Sequence, residues 1–180
     1  MLTTDFDDLY QKHFLEIYRH CHRIVQNKED AEELCSEAFV KAHFHRNQFD
    51  AQKGNFRSWI FTIATHLAFD FKDSATQKRK KQTTSLDDLI SSPNNDLQPD
   101  EDSELRQLLK FIDDCLAELS VEEGTAVSLR HLQGFKLQEI AEILGMSSPN
   151  SAKNRIKSGE TKLKLCLEKK GIDDNYWRSA

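Results

Sequence analysis

Apolar residues recur along most of this chain at steps of three and four, the period of a helix with one buried face. Phe6, Leu9, Tyr10, His13, Phe14, Ile17, Cys21, Ile24 and Val25 keep that step and predict a helix over 4–25. Asn27 is a good N-cap for a second helix over 28–46, with Asp30 at its third position beside the positive helix end. Its inward set is Ala31, Leu34, Cys35, Ala38, Phe39 and Ala42. A loop with turn chemistry at Gly54-Asn55 leads into a third helix that turns Phe56, Trp59, Ile60, Ile63, Ala64, Leu67, Ala68 and Phe71 inward. The pattern stops in residues 83–103, a Ser/Asn/Pro/Asp-rich stretch that reads as a flexible linker.

Helical spacing resumes through Leu105, Leu108, Leu109, Ile112, Cys115, Leu116 and Leu119. Ser120-Val121-Glu122-Glu123 is a capping box that starts a helix through Ala126, Val127, Leu129, Arg130 and Leu132, which Gly134 ends. Leu137, Ile140, Ala141, Ile143 and Leu144 form a short apolar stripe that Gly145 can close with positive φ. Pro149 suits the first turn of a last helix, on which Ala152, Ile156, Gly159 and Leu163 share one buried face. Its other faces carry Asn150, Ser151, Lys153, Asn154, Arg155, Lys157, Lys162 and Lys164. Two short helices with a basic, amide-rich open side fit a DNA-reading helix-turn-helix. They fit an αα-hairpin with a solvated lysine face equally well.

The fold class expected is therefore all-α: a three-helix N-terminal domain (1–82), an acidic linker (83–104), a four-helix C-terminal domain with the helix-turn-helix (105–171) and a tail (172–180). Tyr176 and Trp177 in that tail could dock on the second domain.

Charge changes this picture. The chain is 31% charged and 38% hydrophobic, which is globular rather than disordered, and its net charge of −5 looks wrong for a DNA binder. The distribution resolves the conflict. Residues 53–82 carry seven Lys/Arg against two acids, and 128–170 carry nine against four. Between them, residues 83–105 carry seven acids and no Lys/Arg. Such a chain should bind free DNA poorly, because part of the phosphate attraction is cancelled within the molecule. It reads as built to engage DNA when another partner holds it there. Glu29, Asp30, Glu32, Glu33 and Glu37 exceed what capping needs and suit a basic protein partner. The aromatics from Phe49 to Phe71 are mostly core, with one or two beside the basic run suited to stacking on unpaired bases.

Other chemistry is not signalled. There is no glycine-rich phosphate loop, nucleophile elbow or HExxH, so no catalytic residue is assigned. His20-Cys21-His22, with His13, His43 and His45, lacks zinc spacing, and adjacent helical residues diverge, so neither metal nor cofactor is expected. The four cysteines, Cys21, Cys35, Cys115 and Cys166, are widely spaced in apolar registers and read as buried reduced thiols. No run approaches the roughly 20 apolar residues that span a bilayer. With no leader-like N-terminus, a cytoplasmic address without membrane insertion is expected.

Three stretches carry a resemblance. Asp30-Ala31-Glu32-Glu33-Leu34-Cys35-Ser36-Glu37-Ala38-Phe39 resembles the DAEDLVQEVF signature of bacterial RNA polymerase sigma factors of the sigma-70 family, in the extracytoplasmic-function (ECF, group IV) group. Gly54 to Ala64 resembles the group's FRxWLxxIAxN stretch, and Glu139 to Ser147 its EIAEILGIS. The match covers about 6–82 and 105–168, the positions of sigma regions 2 and 4.

The resemblance implies a transcription initiation factor that binds core RNA polymerase and directs it to promoters. Asp30, Glu32, Glu33 and Glu37 would dock on the β′ clamp. Phe49, Asp50, Asn55, Phe56, Arg57, Trp59, His66, Lys78, Arg79, Lys80 and Lys81 would melt and hold the −10 element. Asn150, Ser151, Lys153, Asn154, Arg155, Lys157 and Ser158 would read the −35 element, with the second domain on the β flap. The linker would follow the polymerase's RNA path, and an anti-sigma factor is a further partner common in the group. Ser36, His66 and Lys157-Ser158-Gly159-Glu160 depart from the group's usual residues, and the turn before Lys153 is one residue longer than the commonest form. Glu160 would oppose DNA phosphate if it pointed outward. A different class, a stand-alone helix-turn-helix regulator of operator DNA, would bind duplex DNA without polymerase.

Overall fold

The structure, a computed structural model, describes residues 6–50, 54–81 and 103–172, with side chains described except at 77–81, 103–106 and 109. Among these residues every regular element is helical: α1 (Phe6–Val25), α2 (Lys28–Phe44), a 3-10 turn (Arg46–Gln48), α3 (Phe56–Lys81), α4 (Ser103–Ala117), α5 (Val121–His131), α6 (Leu137–Ile143) and α7 (Pro149–Lys169). The all-α expectation holds. α2 stops two residues short of the expected end, because Arg46–Gln48 tightens into the 3-10 turn. Ser103 and Glu104, expected in the linker, already belong to α4. The rest of the expected linker, and Tyr176 and Trp177, lie outside the described residues.

The elements divide into two compact units, one of α1, α2 and α3, the other of α4, α5, α7 and most of α6. In the first, α1 buries Leu9, Ile17, Cys21 and Ile24 against Ala31, Leu34, Cys35, Ala38, Phe39 and Ala42 of α2. α3 adds Phe56, Ile60, Phe61, Ala64 and Ala68. The inward face of α3 is rotated slightly from the expected one. Phe61 is fully buried, Phe71 lies at the surface, and Trp59, Ile63 and Leu67 are half-buried. Six aromatics so close together leave the packing of α1 and α2 to choose which ring goes inside.

The predicted caps form at Asn27, Ser120 and Gly145, and the structure adds two more at Asn55 and Ser148. Asn27 accepts from the Asp30 amide at 2.9 Å, and Asn55 accepts from the Ser58 amide at 2.7 Å to start α3. Ser120 and Glu123 complete both arms of the capping box on α5. Gly145, at φ +63°, closes α6 in a Schellman turn: the Met146 amide donates to the Ala141 carbonyl and the Gly145 amide to that of Glu142. Ser148 then caps α7 through the Ser151 amide.

His20 belongs to the core. Its Nε2 lies 2.8 Å from the Thr65 hydroxyl, which itself donates to the Phe61 carbonyl at 2.7 Å. The hydroxyl has one proton, already given, so it accepts from His20 and fixes the Nε2–H tautomer. Burial, and then the Arg23 charge, lower the His20 pKa to about 3. Burial likewise pushes the Cys21 and Cys35 thiols up to about 12.

Cys21 and Cys35 are the buried free thiols expected, but Cys115 and Cys166 are joined in a disulfide. The expectation of four free thiols fails there. The partners stand 51 residues apart, and only the packing of α4 on α7 brings them together.

In the second unit, α7 crosses α5 at Gly159. A Cβ added there would stand 2.6 Å from Val127 Cγ2 and 3.2 Å from both the Glu123 carbonyl oxygen and Leu119 Cδ2. The crossing is therefore closer than any side chain permits. Gly159→Ala should cost roughly 1–2 kcal/mol net of alanine's better helix propensity, measured by urea unfolding. A variant as stable as the parent would show that α7 can lift from α5 freely. The first unit should weaken on acidification. Between about pH 6.5 and 3 the unfolded chain protonates His20 and the folded one does not. This group therefore removes up to about 1.4 kcal/mol of stability per pH unit as pH falls through that window. His20→Gln should show a shallower loss, and an unchanged slope would assign the effect to other groups.

Candidate nucleic-acid and partner surfaces

The face of α7 turned away from its core set is selected by helical geometry. Ala152, Ile156, Gly159 and Cys166 point inward. Asn150, Lys153, Asn154 and Lys157, in the first two and a half turns of α7, form a single exposed stripe at three- and four-residue spacing. Two lysines alternate with two amides: charge for phosphate, and paired donor and acceptor groups for base edges.

The other residues expected to read the −35 element are used within the unit. Arg155, half-buried, pairs with Glu122 at 2.8 Å. The Ser158 hydroxyl donates to Glu123 Oε1 at 2.7 Å. Ser151 bonds back to the Ser148 cap. Glu160 does not oppose the stripe as an isolated charge, because Oε1 meets His131 Nε2 at 2.7 Å. The departure at Ser158-Gly159-Glu160 is thus structural: all three positions engage α5.

At the centre of this junction is Glu123, 5% exposed. Lys162 Nζ reaches both carboxylate oxygens at 2.8 Å, and Ser158 and Ser120 add hydroxyl donors. Lys162 first, then Ser158, hold the Glu123 carboxyl down at about 2, against burial, which pushes it up. Lys162 therefore serves the fold at the expense of the open face.

In the first unit, the residues expected at the −10 element converge around the start of α3. Phe49 and Phe56 are buried, and their rings lie 5.3 and 5.9 Å from that of Trp59, which is half-buried. Asn55 is exposed while its side chain caps α3. Arg57 pairs with Glu16 at 2.9 Å and lies over the Phe61 ring. Glu16 also bonds His13 Nδ1. Asp50 and His66 are exposed. Lys78, Arg79, Lys80 and Lys81 occupy the end of α3, and their side chains lie outside those described.

On α2, Glu32, Glu33 and Glu37 are exposed, with Glu37 paired to Lys41 at 3.0 Å, while Asp30 is half-buried at the cap. The same open face continues into Val40 and Phe44, exposed at 52% and 74%. Sequence reading passed over these two. The signal was available, because neither falls in the inward register of α2. Among the described residues no group of three or more His, Cys, Asp or Glu could hold a metal ion, and no helix is long and apolar enough to cross a membrane.

The chain matches a family model described as sigma-70 region 2 over residues 9–79 and one described as sigma-70, region 4, over residues 112–163. It is similar to the ECF RNA polymerase sigma factor SigM of Bacillus subtilis, 28% identical over 170 residues that cover 93% of this chain and 98% of that one. It is also similar to the ECF RNA polymerase sigma factor SigL of Mycobacterium tuberculosis, 26% identical over 164 residues covering 91% and 89%. In fold it is similar to the sigma factor RpoE of Bartonella quintana, solved in complex with the anti-sigma factor NepR. That likeness has a TM-score of 0.72 at 18% identity and covers 91% of this chain and 97% of that one.

Glu123→Ala should cost the second unit roughly 2–3 kcal/mol, because it strips a cap and leaves four donors, the Ser120 amide and hydroxyl, the Ser158 hydroxyl and the Lys162 ammonium, without their acceptor. Glu160→Ala, which removes only an exposed pair, should stay within about 0.5 kcal/mol. Thermal unfolding of the two variants side by side checks the contrast, and equal losses would deny Glu123 its central place.

Proposed function

We propose that the chain directs RNA polymerase to promoters as a sigma-70 family factor of the ECF branch, group IV, through one polymerase-docking helix and two DNA-binding surfaces. The observation that carries the assignment of roles is the order of parts: both regions match in sequence order, and each bears an exposed surface suited to its task.

The docking helix is α2. Glu32, Glu33 and Glu37, with Asp30 at the cap, offer negative charge to a basic helix of the β′ clamp, and the apolar end at Val40 and Phe44 extends that surface. The start of α3 captures the unpaired strand of the −10 element. Trp59, packed against Phe49 and Phe56, supplies a stacking face. Asp50, Asn55 and His66 add polar contacts, and Arg57 keeps α1 and α3 in register through Glu16. The 78–81 run follows the backbone phosphates. Unstacking a base costs a few kcal/mol, and each aromatic stack returns roughly 1–3 kcal/mol, so a small set of contacts holds the strand open.

The −35 element is read in the major groove by Asn150, Lys153, Asn154 and Lys157, with the second unit on the β flap. Arg155, Ser151 and Ser158 set the helix rather than touch bases. Each good base contact adds roughly 1–3 kcal/mol of discrimination. The net charge of −5 keeps the free protein from binding DNA indiscriminately, since specific contact needs core polymerase to align both surfaces. The setting is the bacterial cytoplasm, where the acidic linker follows the RNA path and an anti-sigma factor is the expected antagonist.

Run-off transcription with purified core RNA polymerase on genomic promoter fragments tests this. The chain should produce discrete new start sites preceded by common −10 and −35 sequences. Glu33→Lys should reduce transcript yield on all of them by weakening affinity for core. Lys153→Ala should lower yield from −35-dependent promoters several-fold more than from extended −10 templates. Tight duplex binding without core, and no transcripts, would instead identify a stand-alone regulator.

A further inference from the structure

Cys115 and Cys166 meet at the junction of α4 and α7 with their Cα atoms 5.7 Å apart, an ordinary separation for a disulfide. Cys115 is wholly buried and Cys166 is 7% exposed, so Cys166 is the less enclosed of the two. Around them the junction is lightly held. Lys170 stands 3.8 Å from Asp114 and lies over the Phe111 ring at 5.5 Å, both at the half-open surface. Ile112 and Leu116 of α4 face Leu163 and Leu167 of α7 across an apolar groove of about 380 Å³. The walls of the groove are thus parted by an open space and linked beside it by the cysteine pair.

This bears on the second unit because α7 carries the exposed Asn150–Lys157 stripe. A protein that works beside RNA polymerase sits among reduced thiols, where a purely structural disulfide does not persist. The other two cysteines, Cys21 and Cys35, are packed in the first unit and remain free. The pair at α4 and α7 differs from them in being bonded.

We propose that Cys115 and Cys166 form a reversible thiol–disulfide couple, oxidised by low-molecular-weight disulfides, that clasps α4 to α7 and stabilises the second unit. The assignment of its cellular setting rests on the initiation role proposed above. The Cys166 thiolate attacks one sulfur of glutathione disulfide, forming a mixed disulfide and releasing one glutathione thiolate. Cys115, having lost its proton to solvent, attacks Cys166 Sγ, closes the bond and releases the second glutathione thiolate. Two protein thiols give up two electrons, the small disulfide takes them to become two thiols, and the thiol protons end on glutathione. Closing a loop that spans 51 positions restricts the unfolded chain and raises the stability of the oxidised form.

The test equilibrates the full chain in glutathione buffers of increasing disulfide fraction, quenches with acid, alkylates free thiols and maps the peptides by mass. The 115–166 linked peptide should rise to completion and fall again when reduced glutathione is restored, while Cys21 and Cys35 stay alkylated after unfolding. Thermal unfolding of the oxidised form should shift up by at least about 10 °C relative to the reduced form. A Cys115→Ala, Cys166→Ala variant should unfold with the reduced parent and show no shift in either buffer. Three results would each overturn the proposal: thiols that stay free at every glutathione ratio, a linked peptide that reduced glutathione cannot open, or oxidation without a shift. These readouts involve neither polymerase nor DNA, so their failure leaves the initiation role standing. Conversely, a reduced chain that gives no core-dependent transcripts removes that role and leaves the couple intact.

Discussion

One carboxylate holds the second unit in working order. Glu123 sits at the start of α5, where the helix dipole favours a negative charge, and gathers Ser120, Ser158 and Lys162 around it. Those last two side chains belong to α7, so the bond that caps one helix also sets the rotation of the other. Gly159 between them removes the side chain that would keep the two backbones apart. With this face of α7 committed to α5, the opposite face is the one proposed above to read DNA.

The first unit combines an acidic face on α2 with the surface at the start of α3 proposed above to hold unpaired DNA. Small residues on α2, Ala31, Ala38 and Ala42, let α1 and α3 approach, and the aromatics fill the rest. The Arg57–Glu16 pair ties the start of α3 to α1 at the place where Trp59 packs against two buried rings. The buried, neutral His20 on Thr65 adds a polar contact inside the core that fixes α1 against α3 without bringing in a charge.

In the proposed role, charge is arranged so that neither DNA surface works alone. Two basic blocks separated by acidic segments give weak attraction to free duplex and strong dependence on a scaffold that aligns them. This is a physical reason for a promoter-directing protein to be acidic overall.

Much of this was legible before any coordinates. Helical period, the Asn27 and Ser120 caps, Gly145 and Pro149 are local features, decided within a turn or two of the chain, and periodicity alone yields seven helices and two domains. The motifs from Asp30 to Phe39, Gly54 to Ala64 and Glu139 to Ser147 carry the family, because docking and reading DNA constrain consecutive residues. What the sequence could not decide depends on partners distant along the chain. Ser158 and Arg155 read as DNA-facing until Glu123 and Glu122 are seen beneath them. Phe61 and Phe71 exchange places because neighbouring helices select the ring. Cys115 and Cys166 look like isolated thiols until α4 lies on α7. A sequence by itself determines which faces are apolar and where helices begin and end, since those energies are local; which polar side chains remain available for a partner is decided only when the helices pack and take some of them for themselves.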